Sequence, residues 1–151
     1  FELAYPILIS RLGYSRLFHE IIPGEQLHIS DSTFSAAYNE HSPPCLSLRL
    51  ELHGKSIFYS GDGRPTPMTR SLANGCDIII HEAYGFEDSV PGHGSIKTCL
   101  DFALNSNVKR LALVHMQRDI RMQSVNKITS FQKKYNDVEI MLPEKGSTIS
   151  V

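Results

Sequence analysis

Apolar and polar residues alternate most clearly over Leu46–Leu52, where Leu46, Leu48, Leu50 and Leu52 interleave with Ser47, Arg49 and Glu51. A period of two places the leucines on one face of an extended chain and the polar residues on the other, as in a half-buried strand. His53-Gly54-Lys55 then turns the chain into residues 56–60, so the two segments are expected to form a hairpin. Upstream, residues 17–22, 26–30 and 34–38 are short mixed runs separated by Pro23-Gly24 and Asp31-Ser32, which predicts a meander of short strands. Residues 1–14 read as the tail of a helix ending in a turn at Leu12-Gly13-Tyr14.

From Gly61 onward the pattern changes to helix and strand in alternation. Residues 65–74 suit a short helix that Gly75 ends; residues 76–80 are an apolar strand apart from Asp77; residues 95–105 read as a helix. Arg110–Val114 is a buried strand, and residues 122–135 form a polar amphipathic helix built on Val125, Ile128 and Phe131. Two last strands, 138–141 and 147–151, flank Glu144-Lys145-Gly146. Strands first and then alternation predict an α/β sheet covered by helices on an outer face, with residues 1–151 as one domain. Polar groups fall just after predicted strand ends: Asp62, then His81-Glu82, then His115. Loops at strand C-termini are where α/β sheets usually carry their sites.

Composition narrows the class. The chain has 151 residues, 41% of them hydrophobic and 21% charged, which suits a globular domain with a packed core. It contains no long apolar run, and its start has neither the basic flank nor the apolar stretch of a signal peptide, so no membrane partner is expected. Three cysteines, Cys45, Cys76 and Cys99, form no CxxC pair, which argues against a zinc ribbon or disulfide framework and fits a reducing cytoplasm. A net charge of −1 offers no extended basic surface for nucleic acid. A first residue other than Met raises the expectation of a processed or truncated chain.

His41, Asp62 and His115 are candidate metal ligands, because imidazole and carboxylate suit Zn²⁺, Mn²⁺ or Fe and a carboxylate can bridge two cations. Each also has an ordinary reading: His41 as a loop residue before Pro43-Pro44, Asp62 as a turn former in Gly61-Asp62-Gly63, His115 as a core-edge histidine bonded to backbone. His81-Glu82 does not open an HExxH motif, since position 85 is Gly. His81 is expected to pack or hydrogen bond near a strand end. His19, His28 and His53 lack partners at ligand spacing. Lys133-Lys134 reads as a solvated face, whereas Arg118 and Arg121, shortly after His115, are candidates for an anionic substrate or for surface ion pairs.

Read in order, His41-Ser42-Pro43-Pro44, Tyr59-Ser60-Gly61-Asp62, Asp77-Ile78-Ile79-Ile80-His81-Glu82-Ala83, Gly92-His93-Gly94-Ser95 and Leu111-Ala112-Leu113-Val114-His115 resemble the C-terminal motifs of metallo-β-lactamase-fold hydrolases. The likeness spans about residues 35–120. It is similar to ribonuclease Z through His-Glu-Ala followed by a Gly-His-x-Ser loop, and the 21-residue interval from His41 to Asp62 resembles compact phosphodiesterases related to the phosphonate-pathway cyclic phosphodiesterase.

The resemblance implies the C-terminal half of an αββα sandwich and two divalent metal ions, zinc foremost with Mn or Fe as alternatives. It also implies cleavage of a phosphodiester, in RNA or a small molecule, by a metal-activated hydroxide. His41 would then bind the first metal, Asp62 both, and His115 the second; Glu82 would orient His93, which would stabilise or protonate the leaving oxygen. Two departures stand out. Gly63 replaces the family's usual Thr after the bridging Asp, and the His-x-His-x-Asp-His signature that supplies most other ligands is absent. Half a sandwich also leaves an apolar sheet face open, which predicts about 100 further residues, association with the missing N-terminal half, or a homodimer. Within the same fold, lactonase, thioesterase and sulfatase activities compete; outside enzymes, the missing signature motivates a non-catalytic remnant or interaction module.

Overall fold

The computed structural model describes residues 13–14, 17–88 and 90–151; most of the helix tail expected at 1–14 lies outside these residues. Strands β1 (Gln26–Ile29), β2 (Ser32–Tyr38), β3 (Leu46–Leu52) and β4 (Lys55–Tyr59) form an antiparallel meander. They are followed by helix α1 (Pro67–Ala73), β5 (Ile78–Glu82), α2 (Ile96–Asn105), β6 (Arg110–Val114), α3 (Arg118–Lys134) and β7 (Glu139–Met141). Among the described residues the strands make one sheet in chain order β1 to β7, with β4 to β7 parallel. Parallel neighbours need a crossover, and each helix supplies one.

Register assigns the two faces. Phe58 lies opposite Ile79, Ile79 opposite Leu111, and Leu111 opposite Ile140, so these side chains share a face. That face is the core: Phe58, Ile79, Leu111 and Leu113 are fully buried against Ala73 of α1 and Ile96, Leu100, Phe102 and Ala103 of α2, with Ile128 and Phe131 of α3 packed at its margin. The alternate positions, Phe34, Leu48, Leu50, Ile57 and Tyr59, lie on the other face, where no described helix covers them, and Tyr38, Leu52 and Tyr59 stay exposed. Strand β3 and its period are as expected, but its leucines lie on the face that no described helix covers, while Ser47 is buried and Arg49 bonds Leu72 O and Asn74 O on the helix side.

Helices α1 and α2 each begin with a capping box. Thr66 and Ser95 accept from the backbone N–H three residues on, and the Thr69 and Thr98 hydroxyls accept from the cap N–H in return. Two otherwise orphaned donors are satisfied at each start. We predict that Ser95→Ala lowers stability by about 1 kcal/mol; a urea midpoint unchanged from the parent would contradict this.

Three expectations need correction. Residues 17–22 are not a strand: Leu17-Phe18 and Ile21-Ile22 are apolar in blocks rather than in alternation, so neither face could be buried, and Leu17 is 87% exposed. Residues 147–151 are not a strand either. This tail lies over the open sheet face, with Val151 beside Leu50, Leu52 and Ile57 and Ser150 O accepting from Arg110, so it borders no free strand edge. The strand expected at 76–80 starts at Ile78 and continues through Glu82, which places His81 and Glu82 within β5 rather than beyond it. Among the described residues no helix is long and apolar enough to cross a membrane.

Candidate metal centre

Because β4, β5 and β6 are parallel, their C-terminal ends lie along one rim, and Asp62, Glu82 and His115 all sit there. The antiparallel pairing of β2, β3 and β4 brings the loop between Tyr38 and Leu46 to the same rim, carrying His41. The loop between β5 and α2 adds His93. Five residues spread over 75 positions of sequence thus meet at one edge of the sheet.

Asp62 is the hub. Its Oδ2 lies 3.8 Å from His41 Nε2, and its Oδ1 lies 3.3 Å from both His93 Nδ1 and His115 Nε2. His41 Nδ1 faces Pro43 O at 3.2 Å, which assigns its proton to Nδ1 and leaves the Nε2 lone pair directed at the pocket. His115 takes a left-handed backbone (φ 49°) immediately after β6, a conformation costing roughly 1 kcal/mol or more that non-glycine residues adopt mainly where the surroundings enforce it. One ligand atom each from His41, Asp62 and His93 lies within 4.8 Å of the others. The closest three-residue set therefore includes His93 in place of the expected His115, whose side chain is 56% exposed although it still reaches Asp62.

Asp62 Oδ1, His93 Nδ1 and Glu82 Oε2 are buried atoms without a hydrogen-bond partner among the described residues. Buried polar groups are normally paired, and here three unpaired ones converge. Nitrogen and oxygen atoms that approach to 3.3 Å without hydrogen-bond alignment are disposed like ligands around a common point. The donor set fits a divalent cation.

Glu82 is 0% exposed. Its Oε1 accepts the Gly94 N–H and its Oε2 lies 3.6 Å from His93 Nδ1. Burial pushes the Glu82 carboxyl up, opposed by the Gly94 N–H and the positive potential of His93. Gly94 permits this contact, because a side chain there would crowd Glu82 and Cys99. The His93 ring packs against Tyr84 at 4.9 Å between centroids and meets the edge of His41 at 5.2 Å. Tyr84, like Cys45 and Asn39 in the loops beneath Asp62, is not marked by any motif in the sequence.

His81 points away from the rim into the core. Its Nδ1 lies 2.7 Å from Glu82 O and 3.4 Å from Cys99 Sγ, and its ring packs between Phe58 and Phe102. Desolvation lowers its pKa from 6.5 to about 4, with the Glu82 carbonyl opposing. Between these values the unfolded chain binds a proton that the folded chain refuses, so stability falls as pH drops through 6.5 and levels off near 4. We predict a loss of roughly 2 to 3 kcal/mol between pH 7 and pH 4.5 from this residue, read from urea midpoints; a flat profile over that window would contradict it. The three cysteines are free thiols. Arg121 bonds Pro143 O at 2.8 Å and Glu144 Oε1 at 3.2 Å, tying α3 to the segment after β7, while Arg118 is exposed at the start of α3. His28, His53 and Lys133-Lys134 are exposed on other elements.

A family model described as a beta-lactamase superfamily domain matches residues 7–116. Ribonuclease Z of Picrophilus torridus is 32% identical over 100 residues, covering 62% of this chain and 27% of its own length. Ribonuclease Z of Natronomonas pharaonis is 25% identical over 142 residues, covering 89% and 42%. Among solved structures, the metallo-beta-lactamase fold protein YhfI from Bacillus subtilis has a TM-score of 0.73 at 16% identity over 84% of this chain and 53% of that one. The short form of human tRNase Z has a TM-score of 0.64 at 21% identity over 82% and 44%. The two structural likenesses speak to the fold alone. This chain covers 27% and 42% of the two ribonuclease Z relatives. With the matched model, the ordered motifs and the rim geometry in agreement, the chain belongs to the beta-lactamase superfamily domain family, on its ribonuclease Z-like branch.

Proposed function

We propose that this chain is the C-terminal portion of a metallo-β-lactamase-like domain that hydrolyses phosphodiesters, with RNA or a small phosphodiester as substrate. The observation that carries the reading is the meeting of His41, Asp62 and His115 beside His93 and the buried Glu82 next to it. His41 would hold one cation, Asp62 both, and His115 the second, with zinc favoured by the histidine-rich donor set and Mn or Fe as alternatives. Such cations, when bound, stabilise charge on the phosphoryl oxygens and make a nucleophile available near neutral pH. Glu82, held by Gly94, keeps the His93 ring oriented through Nδ1, which leaves the opposite nitrogen to carry a proton toward the departing oxygen. Tyr84 and the surrounding rings exclude water from one side of His93.

A catalytic zinc typically has three protein ligands, so three residues shared by two ions leave positions to fill. The face formed by Leu48, Leu50, Ile57 and Tyr59, which no described helix covers and which Val151 of the C-terminal tail touches only in part, is the surface on which the other half of the domain would sit, bringing the remaining ligands to the rim. The names of the ribonuclease Z relatives support the phosphodiester assignment. Metal analysis combined with turnover of bis(p-nitrophenyl) phosphate tests the reading. With the other half of the domain present, bound metal and turnover, both lost in His115→Ala, are expected; a folded, metal-free and inactive domain would favour an interaction module instead.

A further inference from the structure

The turn carrying Asp62 is built against a second loop. Asn39, two residues before His41, is 8% exposed and donates its Nδ2–H to Ser60 O at 2.7 Å. Ser47 Oγ donates to the same carbonyl at 2.7 Å, so the residue that opens the turn is held by two donors. Glu40 and Arg64 exchange backbone hydrogen bonds of 3.0 Å in both directions, and the Asp62 N–H points at Cys45 Sγ, 3.4 Å away. The loops bearing His41 and Asp62 are thus laced together along their length.

The glycines flanking Asp62 record the same fit. A Cβ on Gly61, whose φ is +66°, would fall 2.5 Å from Leu46 O and 3.0 Å from Cys45 Sγ. A Cβ on Gly63 would fall 2.5 Å from Asn39 Cγ and 2.8 Å from Nδ2, inside the Asn39 amide. Asn39 Oδ1 is buried at this contact without a hydrogen-bond partner among the described residues, so the side chain is held there by one hydrogen bond and by steric fit.

We propose that Asn39 is a positioning residue for Asp62: its amide occupies the space of a side chain at position 63 and clamps Ser60 O, fixing the Gly61-Asp62-Gly63 turn with the carboxylate toward His41 and His93. The consequence for metal affinity rests on the reading of Asp62 as a ligand, whereas the lock itself does not. A shape-matched pair of this kind makes a specific demand. Removing Asn39 frees the turn; adding a methyl at Gly63 collides with Asn39; doing both relieves the collision without restoring the clamp.

The test compares the parent chain with Asn39→Ala, Gly63→Ala and the double variant. Without metal, amide hydrogen exchange at Asp62 and thermal midpoints are measured, followed by zinc titration. Asn39→Ala is expected to speed exchange at Asp62 about tenfold, the effect of losing one buried hydrogen bond, while exchange within β6 stays unchanged, and to weaken zinc binding about tenfold. Gly63→Ala should lower the midpoint more than Asn39→Ala, and the double variant should regain that loss while keeping the weaker zinc affinity, a non-additivity expected only of residues in contact. Exchange and zinc affinity within about twofold of the parent in Asn39→Ala, or additive midpoint losses, would overturn the proposal. A parent that takes up no zinc even with the other half of the domain present would instead remove the metal reading of the pocket, and the exchange rates and midpoints would still decide the role of Asn39.

Discussion

Asp62→Ala should abolish stoichiometric metal binding and lower phosphodiester turnover by on the order of 10⁴-fold, the scale of loss when one member of a concerted catalytic unit is removed. No other side chain at the rim touches as much: its two oxygens face His41, His93 and His115 together. Its removal would take away the carboxylate that faces all three imidazoles and leave only Glu82, beside His93, to offset the repulsion of two cations. Its carboxylate is 43% exposed and Ser60 O is held from elsewhere, so the fold should survive the change. Metal content by elemental analysis, turnover and a thermal midpoint together check the prediction. A variant that keeps its metal, or loses turnover only by unfolding, would contradict it.

His93→Ala should cost about 10²- to 10⁴-fold in turnover, the range for losing a positioned proton donor, with metal content retained. His115→Ala should lose metal. The contrast matters because His93 Nδ1 stands as close to Asp62 as His115 Nε2 does, and a His93→Ala protein that lost its metal would reassign His93 as a ligand. Two features favour the proton role. Nδ1 is shared with the buried Glu82 carboxylate, and the ring is steadied by Tyr84.

Strands β3, β4 and β6 were legible in the sequence because alternation or continuous apolar character marks an extended chain within a sheet, although the alternation of β3 did not say which face meets the helices. The end of β5 was not. His81 and Glu82 look like loop residues by polarity, yet one is satisfied by a carbonyl beside it and one oxygen of the other accepts from Gly94, a partner twelve residues away. Residues 17–22 and 147–151 have strand-like composition, but pairing depends on a neighbouring edge, which composition does not encode. At the rim, His41, Asp62, Glu82, His93 and His115 could be named because their order and context match a known series of motifs. Asn39 could not, since its partner lies 24 positions on and meets it only through the antiparallel register of β2, β3 and β4. The two glycines around Asp62 were the available hint of a crowded turn.

The segregation of rim and core has a consequence for diversification. Every candidate site residue apart from Glu82 rides on a connection, while the residues that hold the sheet to its helices, Phe58, Phe102 and Leu111 among them, lie on the opposite side of the backbone from solvent. Lengthening or exchanging a connection at this edge leaves the hydrophobic interior intact, and adding residues to a surface loop carries only a slowly growing entropic penalty. A scaffold arranged in this way can acquire new substrate preferences by insertion at its margin without renegotiating its stability.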